Sequence, residues 1–442
     1  MSSTHCPNTS RGWFFKEIPA EWESLPLKYA CDLTSEYGAN IPADRYISEG
    51  IRLLRTSDIN DNGELASGGV FISEADAAEY LLVERDLLIS RSGTLGRSFI
   101  YSKSHGPCAY AGYLIRYHLK QRFHPKYVFY LTKSAGFQEW IRTVAIEATI
   151  GNINGEKYAN FSFPAPGFET QLLIANYLDR ETARIDKLIA EKERMLALLD
   201  EKRSALISRV VTRGLDPNAP LKDSGLEWLG EIPAHWQKPQ LRFVCSSLQI
   251  GPFGTQLHAE EYIDNGIPLI NPAHLKGNRI SPDFRVSVDE LTAERLAVHR
   301  LEEGDIVFGR RGELGRCGVV QSDQVGWLCG TGSLRARCNR AKVDPEYVAL
   351  VFNSTTASMR LSLESVGSTM DNLNTEMLGH FRIPLPPLME QENIVRAAQS
   401  GQHIFSALHA NLQTSIKLSI ERRTALITAA VTGQIPLEEM AG

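Results

Sequence analysis

At 442 residues the chain is too long for one simple core, so two to four domains are expected, and 43% hydrophobic with 22% charged residues is the composition of a soluble globular protein. No apolar run reaches the ~18 residues that a membrane helix needs, and the polar start, residues 1–11, lacks a signal-peptide segment, which predicts a cytoplasmic protein with a frayed tail. A net charge of −5 argues on average against nucleic acid, but phosphate binding needs only a local basic face.

In chain order, Glu17-Ile-Pro-Ala-Glu-Trp22 comes first and returns as Glu231-Ile-Pro-Ala-His-Trp236. Leu27-Lys-Tyr-Ala-Cys31 returns at the same offset as Leu241-Arg-Phe-Val-Cys245, and Tyr46-Ile-Ser-Glu-Gly-Ile51 matches Tyr262-Ile-Asp-Asn-Gly-Ile267. Residues 81–89 and 301–308 alternate toward strands, 99–101 and 319–320 read as short strands, and 127–144 and 347–363 read as helices. Between the strands, Arg91-Ser-Gly-Thr-Leu-Gly-Arg97 matches Arg310-Arg-Gly-Glu-Leu-Gly-Arg316. Residues 151–154 and 371–374 are turn residues ahead of final strands at 161–163 and 381–383. Each globule therefore reads as α+β with a small, mostly antiparallel sheet.

Residues 169–212 contain neither Gly nor Pro, and Pro166, Gly167, Gly214 and Pro217 flank them, which predicts one long helix of about 65 Å. Ile174, Leu178, Ile185, Leu188, Met195, Leu199 and Leu206 follow steps of three and four, a coiled-coil seam with Glu181, Lys192 and Lys202 in the gaps. A lone helix of this kind cannot bury its stripe, and the same chain supplies a copy. Gln171 and Ile174 return as Gln391 and Ile394, and Ala205-Leu-Ile-Ser returns as Ala425-Leu-Ile-Thr. The second seam, Ile394, Ala398, Phe405, Leu408, Leu412 and Leu426, is weaker, with Gly401, Ser415, Ser419 and Arg422 at its other places, and Gly401 is expected to bend it. The order is globule (1–165), long helix (166–215), globule (216–386), long helix (387–442).

Enzyme motifs are missing from this order. There is no G-x-x-x-x-G-K-[ST], no G-x-G-x-x-G opening a helix, no H-E-x-x-H and no G-x-S-x-G; Asn271-Pro-Ala-His274 is a superficial match to a base-flipping methyltransferase signature. Seven cysteines without a C-x-x-C fit reduced thiols rather than zinc, and the histidines are scattered. No catalytic residue and no metal ligand is assigned. What remains are two pairs of equivalent loops. Arg91, Thr94 and Arg97, with Arg310, Arg311 and Arg316, offer guanidinium groups suited to phosphate and to guanine edges. Asn152, Asn154 and Lys157, with Asn372 and Asn374, offer amides suited to adenine, set against the plainer role of an Asn capping its own turn. A Gly-rich turn likewise needs no ligand to explain it.

The doubled order of E-I-P-A-x-W, R-x-G-x-L-G-R, the Pro-rich exits at 161–166 and 381–387, Q-x-x-I and a long helix resembles the specificity subunit of type I restriction-modification systems, over nearly the whole chain. The resemblance implies two target-recognition domains separated by two antiparallel coiled-coil helices that act as a ruler, each domain reading one half of a split double-stranded DNA sequence. It implies two modification (methyltransferase) subunits as partners, with S-adenosylmethionine on them, and restriction subunits with ATP and Mg, so that no cofactor is bound by this chain. The copies differ at Leu53-Leu-Arg-Thr56 against Leu269-Ile-Asn-Pro272 and at Tyr110-Ala-Gly-Tyr113 against Gly330-Thr-Gly-Ser333, so the half-sites are expected to differ. Two other readings stay open: a coiled-coil scaffold without DNA recognition, and an unrecognised DNA-processing enzyme.

Overall fold

The computed structural model describes Phe15 and residues 18–146, 151–312, 314–365 and 372–441. The expected tail at residues 1–11, Glu17, Glu313 and Asp371 lie outside the described residues. The chain divides into two units, Met1–Glu193 with Gln413–Gly442, and Arg194–Leu412. Each unit thus contains one globule, a part of the first long helix and a part of the second.

In unit 1 a four-stranded antiparallel sheet runs in the order Cys31–Tyr37, Leu114–Leu119, Asp86–Ser90, Ser98–Ile100. A second sheet has Ile51–Leu54 at its centre, antiparallel to Val70–Ile72 and parallel to Cys108–Tyr110. Unit 2 repeats both sheets, with Cys245–Ile250, Ser333–Cys338, Asp305–Gly309 and Cys317–Val319 in the first. Its second sheet places Ile267–Ile270 between Ser287–Val288 and Leu328–Cys329. The α+β reading holds, with the sheet of each globule split into a four-stranded and a three-stranded sheet and accompanied by two-stranded ones such as Glu23–Pro26 with Ser162–Ala165.

Several local expectations change. Asp86–Ser90 and Asp305–Gly309 are buried at every position instead of alternating, because each is covered on both faces. Leu87 and Ile89 pack with Tyr127 and Leu131, whereas Leu88 packs with Leu54 and Tyr110. The helix read at 127–144 is two, Pro125–Lys133 and Ala135–Ile146, broken where the Ser134 hydroxyl donates to the Leu131 carbonyl (2.7 Å). The copy breaks in the same way at Ser354, between Pro345–Phe352 and Thr355–Ser365. The strand read at 381–383 is reduced to isolated bridges at Arg382 and Leu385, since Pro384, Pro386 and Pro387 have no N–H to donate.

The long helices span Phe168–Arg213 and Leu388–Val431, the second unbroken through Gly401 rather than bent there. In unit 1 Asp186 Oδ1 forms an ion pair with Arg423 Nε (2.9 Å) and the Lys192 ammonium donates to Ser419 Oγ (2.9 Å), so a rising number on one helix meets a falling number on the other. In unit 2 Gly401 lies against Leu206, and Gly214 lies against Glu390. Within each unit the helices are antiparallel. The seam needs correction. Ile174, Leu178, Ile185 and Ile394 are buried and Leu199, Leu206, Phe405, Leu412 and Leu426 half-buried, but Leu188, Met195 and Leu408 are 54%, 53% and 46% exposed. The inner stripe runs through Ile185, Ile189, Lys192, Leu196, Leu199 and Arg203 instead, and His409 replaces Leu408 on the other helix. Leu188 and Ile189 are apolar neighbours, and a step of three or of four from Ile185 satisfies the heptad equally well.

Each long helix is locked to its globule by a buried glutamine in its first turn. Gln171 Oε1 accepts from the His124 N–H (2.8 Å) and its Nε2 donates to the Pro166 carbonyl (2.7 Å); Gln391 does the same with Asp344 and Pro386, both at 2.8 Å. The buried Tyr127 hydroxyl donates to Pro164 O (2.8 Å) and lies 3.3 Å from Val431 O, at the far end of the other helix. Tyr347 repeats this on Pro384 and Val211. Gln391→Ala leaves a buried N–H and a buried C=O without partners, which costs about 1–3 kcal/mol. We expect a lower urea midpoint at an unchanged m-value; an unchanged midpoint would show that the clamp contributes nothing.

Candidate nucleic-acid interface

One end of the paired sheets in each unit is a rim stitched from loops distant in sequence. In unit 1, Gly112 N–H donates to Ala39 O (2.8 Å), Ala111 to Leu54 O (2.9 Å), Arg91 to Tyr113 O (2.9 Å) and Ile153 to Arg91 O (3.0 Å). In unit 2, Gly251 donates to Ser333 O, Gly330 to Ile270 O and Arg310 to Gly332 O, all at 3.0 Å, and Leu373 to Arg310 O (2.9 Å). The R-x-G-x-L-G-R motif is explained by its backbone. Gly93 and Gly96 have φ of 73° and 74°, and Gly312 and Gly315 have 78° and 85°, values that L side chains rarely adopt. The stitching also corrects the alignment of the copies: Leu54 pairs with Tyr110 and Ile270 with Cys329, so Tyr113 stands opposite Gly332 rather than Ser333.

The two predicted loop pairs do meet. Arg91 Nε donates to Asn152 Oδ1 (3.2 Å), its guanidinium lies 4.5 Å from the centre of the Tyr37 ring, and Ser92 bridges Asn152. Arg310 Nε donates to Leu373 O (2.9 Å), and burial together with the neighbouring Arg311 lowers the Arg310 pKa from its ordinary value. Several predicted residues are occupied with holding the scaffold. Arg97 pairs with Asp61 (Nε–Oδ1 3.1 Å) and reaches Thr56 O (3.5 Å), and Arg316 donates to Pro272 O (2.8 Å). Asn154 caps Gly155–Ala159 by accepting from Lys157 N (2.9 Å), and Asn374 caps Thr375–His380 by accepting from Met377 N (2.8 Å), the plainer role foreseen for them. Asn372 Oδ1 is buried without a hydrogen-bond partner. Thr94, Lys157 and Arg311 are exposed.

Three residues on the rim were not among the candidate contacts, although Arg55 and Tyr113 lie in stretches where the copies differ. Tyr113 and Phe253 are 67% and 64% exposed, each beside glycines in a rim loop. Arg55, the neighbour of Leu54 on the rim, is held by both oxygens of Asp58 (3.0 and 2.8 Å), whose hydrogen bond raises its pKa against the opposing effect of burial. An aromatic flanked by Gly in a turn was the available signal, because a large apolar side chain there has no strand or helix to bury it. In unit 1 these loops enclose a groove of about 370 Å³ lined by Thr56, Ser57, Ser92, Gly93, Thr94, Arg97 and Tyr113. It combines hydroxyls, the Arg97 guanidinium and an aromatic face, the kinds of group that can contact base edges and stack on bases. Among the described residues no group of His, Cys, Asp and Glu could hold a metal ion, and no helix is long and apolar enough to cross a membrane.

Residues 249–418 match the model of the type I restriction modification DNA specificity domain. The chain is 23% identical to the specificity subunit of the EcoKI type I restriction enzyme of Escherichia coli K12, over 87% of this chain and 82% of that one. It is 21% identical to the MjaVIII specificity subunit of Methanocaldococcus jannaschii, over 96% and 95%. A chain from a solved type I restriction-modification system superposes with a TM-score of 0.73 at 16% identity, covering 95% of this chain and all of that one. The HsdS subunit of Thermoanaerobacter tengcongensis does so at 0.53, also at 16% identity, over 95% and 98%. The resemblance drawn from the doubled motif order is borne out, and so is the fold of two repeated α+β domains with two long helices.

The division of labour on the rim has a direct test. Asn154→Ala and Asn374→Ala remove helix caps and are expected to cost about 0.5–2 kcal/mol of stability each. Arg311→Ala at an exposed site is expected to change the unfolding free energy from chemical denaturation by less than about 0.5 kcal/mol. Equal losses for all three would remove the distinction between capping and exposed residues.

Proposed function

We propose that this chain is a specificity subunit of a type I restriction-modification system, a non-catalytic reader of an asymmetric, bipartite double-stranded DNA sequence, one half-site per unit. The observation that carries the reading is that both rims share their backbone stitching while the side chains along that edge differ. Arg55 in one copy stands where Asn271 does in the other, Thr56 where Pro272 does, and Tyr113 where Gly332 does. A scaffold without a ligand has no reason to keep the frame and vary only its edge. On the ruler reading that the resemblance implies, 46 residues of helix span about 69 Å, the length of one to two DNA turns.

Two modification subunits are the partners in this reading, and exposed leucines support a pair of docking places. Leu188 and Leu198 on the first helix correspond in the repeat to Leu408 and Leu418 on the second, and all four are exposed. Leu188 and Leu418 belong to unit 1, Leu198 and Leu408 to unit 2, so each unit presents one leucine from each helix. The partners would supply S-adenosylmethionine and adenine methylation, and a restriction subunit would supply ATP- and Mg-dependent translocation and cleavage.

Co-expression with a methyltransferase encoded beside this chain, followed by single-molecule sequencing of host DNA for N6-methyladenine, tests this. A split motif, two short specified blocks around a fixed gap, is expected. Replacing residues 1–165 by another recognition domain is expected to change one block only. Unmethylated DNA despite a formed complex would overturn the reader, and absence of a complex would favour the scaffold. Leu188→Asp combined with Leu408→Asp is expected to weaken partner binding at least about tenfold with little change in unfolding temperature.

A further inference from the structure

Behind the Gly-rich loop of unit 1 lies a second cavity, of about 520 Å³, between that loop, the helix Pro125–Lys133 and the two long helices. Its charged lining is Lys133, Arg97 and Arg423 against Asp61, Asp186 and Glu193. The cations form the floor. Arg97 and Arg423 side chains are 19% and 15% exposed, whereas Asp61 is 85% exposed and stands at the rim. Lys133 is half-buried as well, and its ammonium lies 4.8 Å from the centre of the Phe129 ring. Arg423 Nε lies 2.9 Å from Asp186 Oδ1 in a poorly aligned pair that leaves its N–H unsatisfied. Ile189 and Ile420 add an apolar wall.

The fold does not require this lysine. Unit 2 carries Asn353 at the same place, and its amide is satisfied by Cys317 O (3.2 Å) and Ala349 O (2.8 Å). The repeat likewise puts Ser406 where unit 1 has Asp186. A half-buried lysine that bonds no carboxylate or carbonyl among the described residues, at a place where the copy has none, leaves its ammonium free to meet an anion in the cavity. We propose that this cavity binds a small phosphate-bearing ligand of mononucleotide size, with the dianion on Lys133 and Arg423 and its apolar part against Ile189 and Ile420. Thr94 and Arg97 line both this cavity and the groove on the rim, so occupancy is coupled to the loop. The site goes beyond the reading of DNA and stands or falls separately from it.

Calorimetric titration of the full chain with sulfate and with AMP tests the site. Sulfate is chosen because it stays a dianion across neutral pH. Burial, with Arg423 and Arg97 adding and Asp61 opposing, brings the Lys133 pKa down to about 7, with Asp186 and Glu193 the other charges facing the cavity. The ammonium is present below that value and lost above it, so sulfate affinity is expected to fall about tenfold from pH 6 to pH 8. Lys133→Met is expected to weaken both ligands at least about tenfold and to abolish that pH dependence. Lys133→Asn, which copies unit 2, serves the same purpose should the methionine disturb folding. Binding of AMP without sulfate would support the site and assign it to nucleotides. Binding of neither, or binding unchanged in both variants, would overturn it.

Discussion

The placement of everything else depends on two buried amides. Gln171 and Gln391 each bond main-chain groups from two different segments, the loop that opens a helix of the globule and the Pro-rich exit from its last strand. In a low-dielectric interior such bonds are strong, and the groups left behind by their loss cannot turn to water. The amide therefore fixes where the long helix starts. Tyr127 and Tyr347 then tie the same exit to the last turn of the other helix, at Val431 and Val211. Within each unit one clamp sets the start of a helix and one hydroxyl the end of its neighbour.

This explains why the copies agree where they do. The glutamines, the tyrosines, Trp22 beside Gly433, Trp236 beside Gly214 and the left-handed glycines of the two rim loops are each held by a geometric demand that no other side chain meets. Rim positions answer to no such demand. Tyr113 and Gly332 both leave the backbone bond from the Gly-rich loop, donated by Arg91 or Arg310, intact, since that bond uses only their carbonyl oxygens. A frame made from main-chain hydrogen bonds is what allows the side chains on its edge to diverge.

The same distinction decides what could be read from the sequence. Helix ends were legible because Gly and Pro act locally, and Glu169 and Thr212 lie within one residue of the observed ends. The Arg91 and Asn152 loops were legible as candidates because the repeat marked them twice, but their contact required a sheet that no short window contains. The seam phase was ambiguous wherever two apolar residues adjoined, as at Leu188 and Ile189, and only the partner helix resolves such a tie. Full burial of Asp86–Ser90 depends on a second sheet packed over it, which alternation cannot reveal. The Lys133 cavity draws its lining from five separate stretches of chain, and a lysine at the end of an amphipathic helix looks, in sequence, like any solvated C-terminal charge.

Charge is where composition and structure inform each other most. A net charge of −5 suits a protein whose basic residues at the rim are largely occupied: Arg97 by Asp61, Arg55 by Asp58, Arg316 by Pro272 O and Arg310 by Leu373 O. Guanidinium groups used in this way fix loops, and they release few counterions when phosphate approaches. Lys157 and Arg311 remain exposed at the two rims, a small sequence-independent attraction. On the proposed reading, contacts that distinguish bases come from this chain, and most of the phosphate contacts come from the proteins that dock on its exposed leucines. Selective binding then requires the assembly, because a rim built to discriminate has too little positive charge to hold DNA alone.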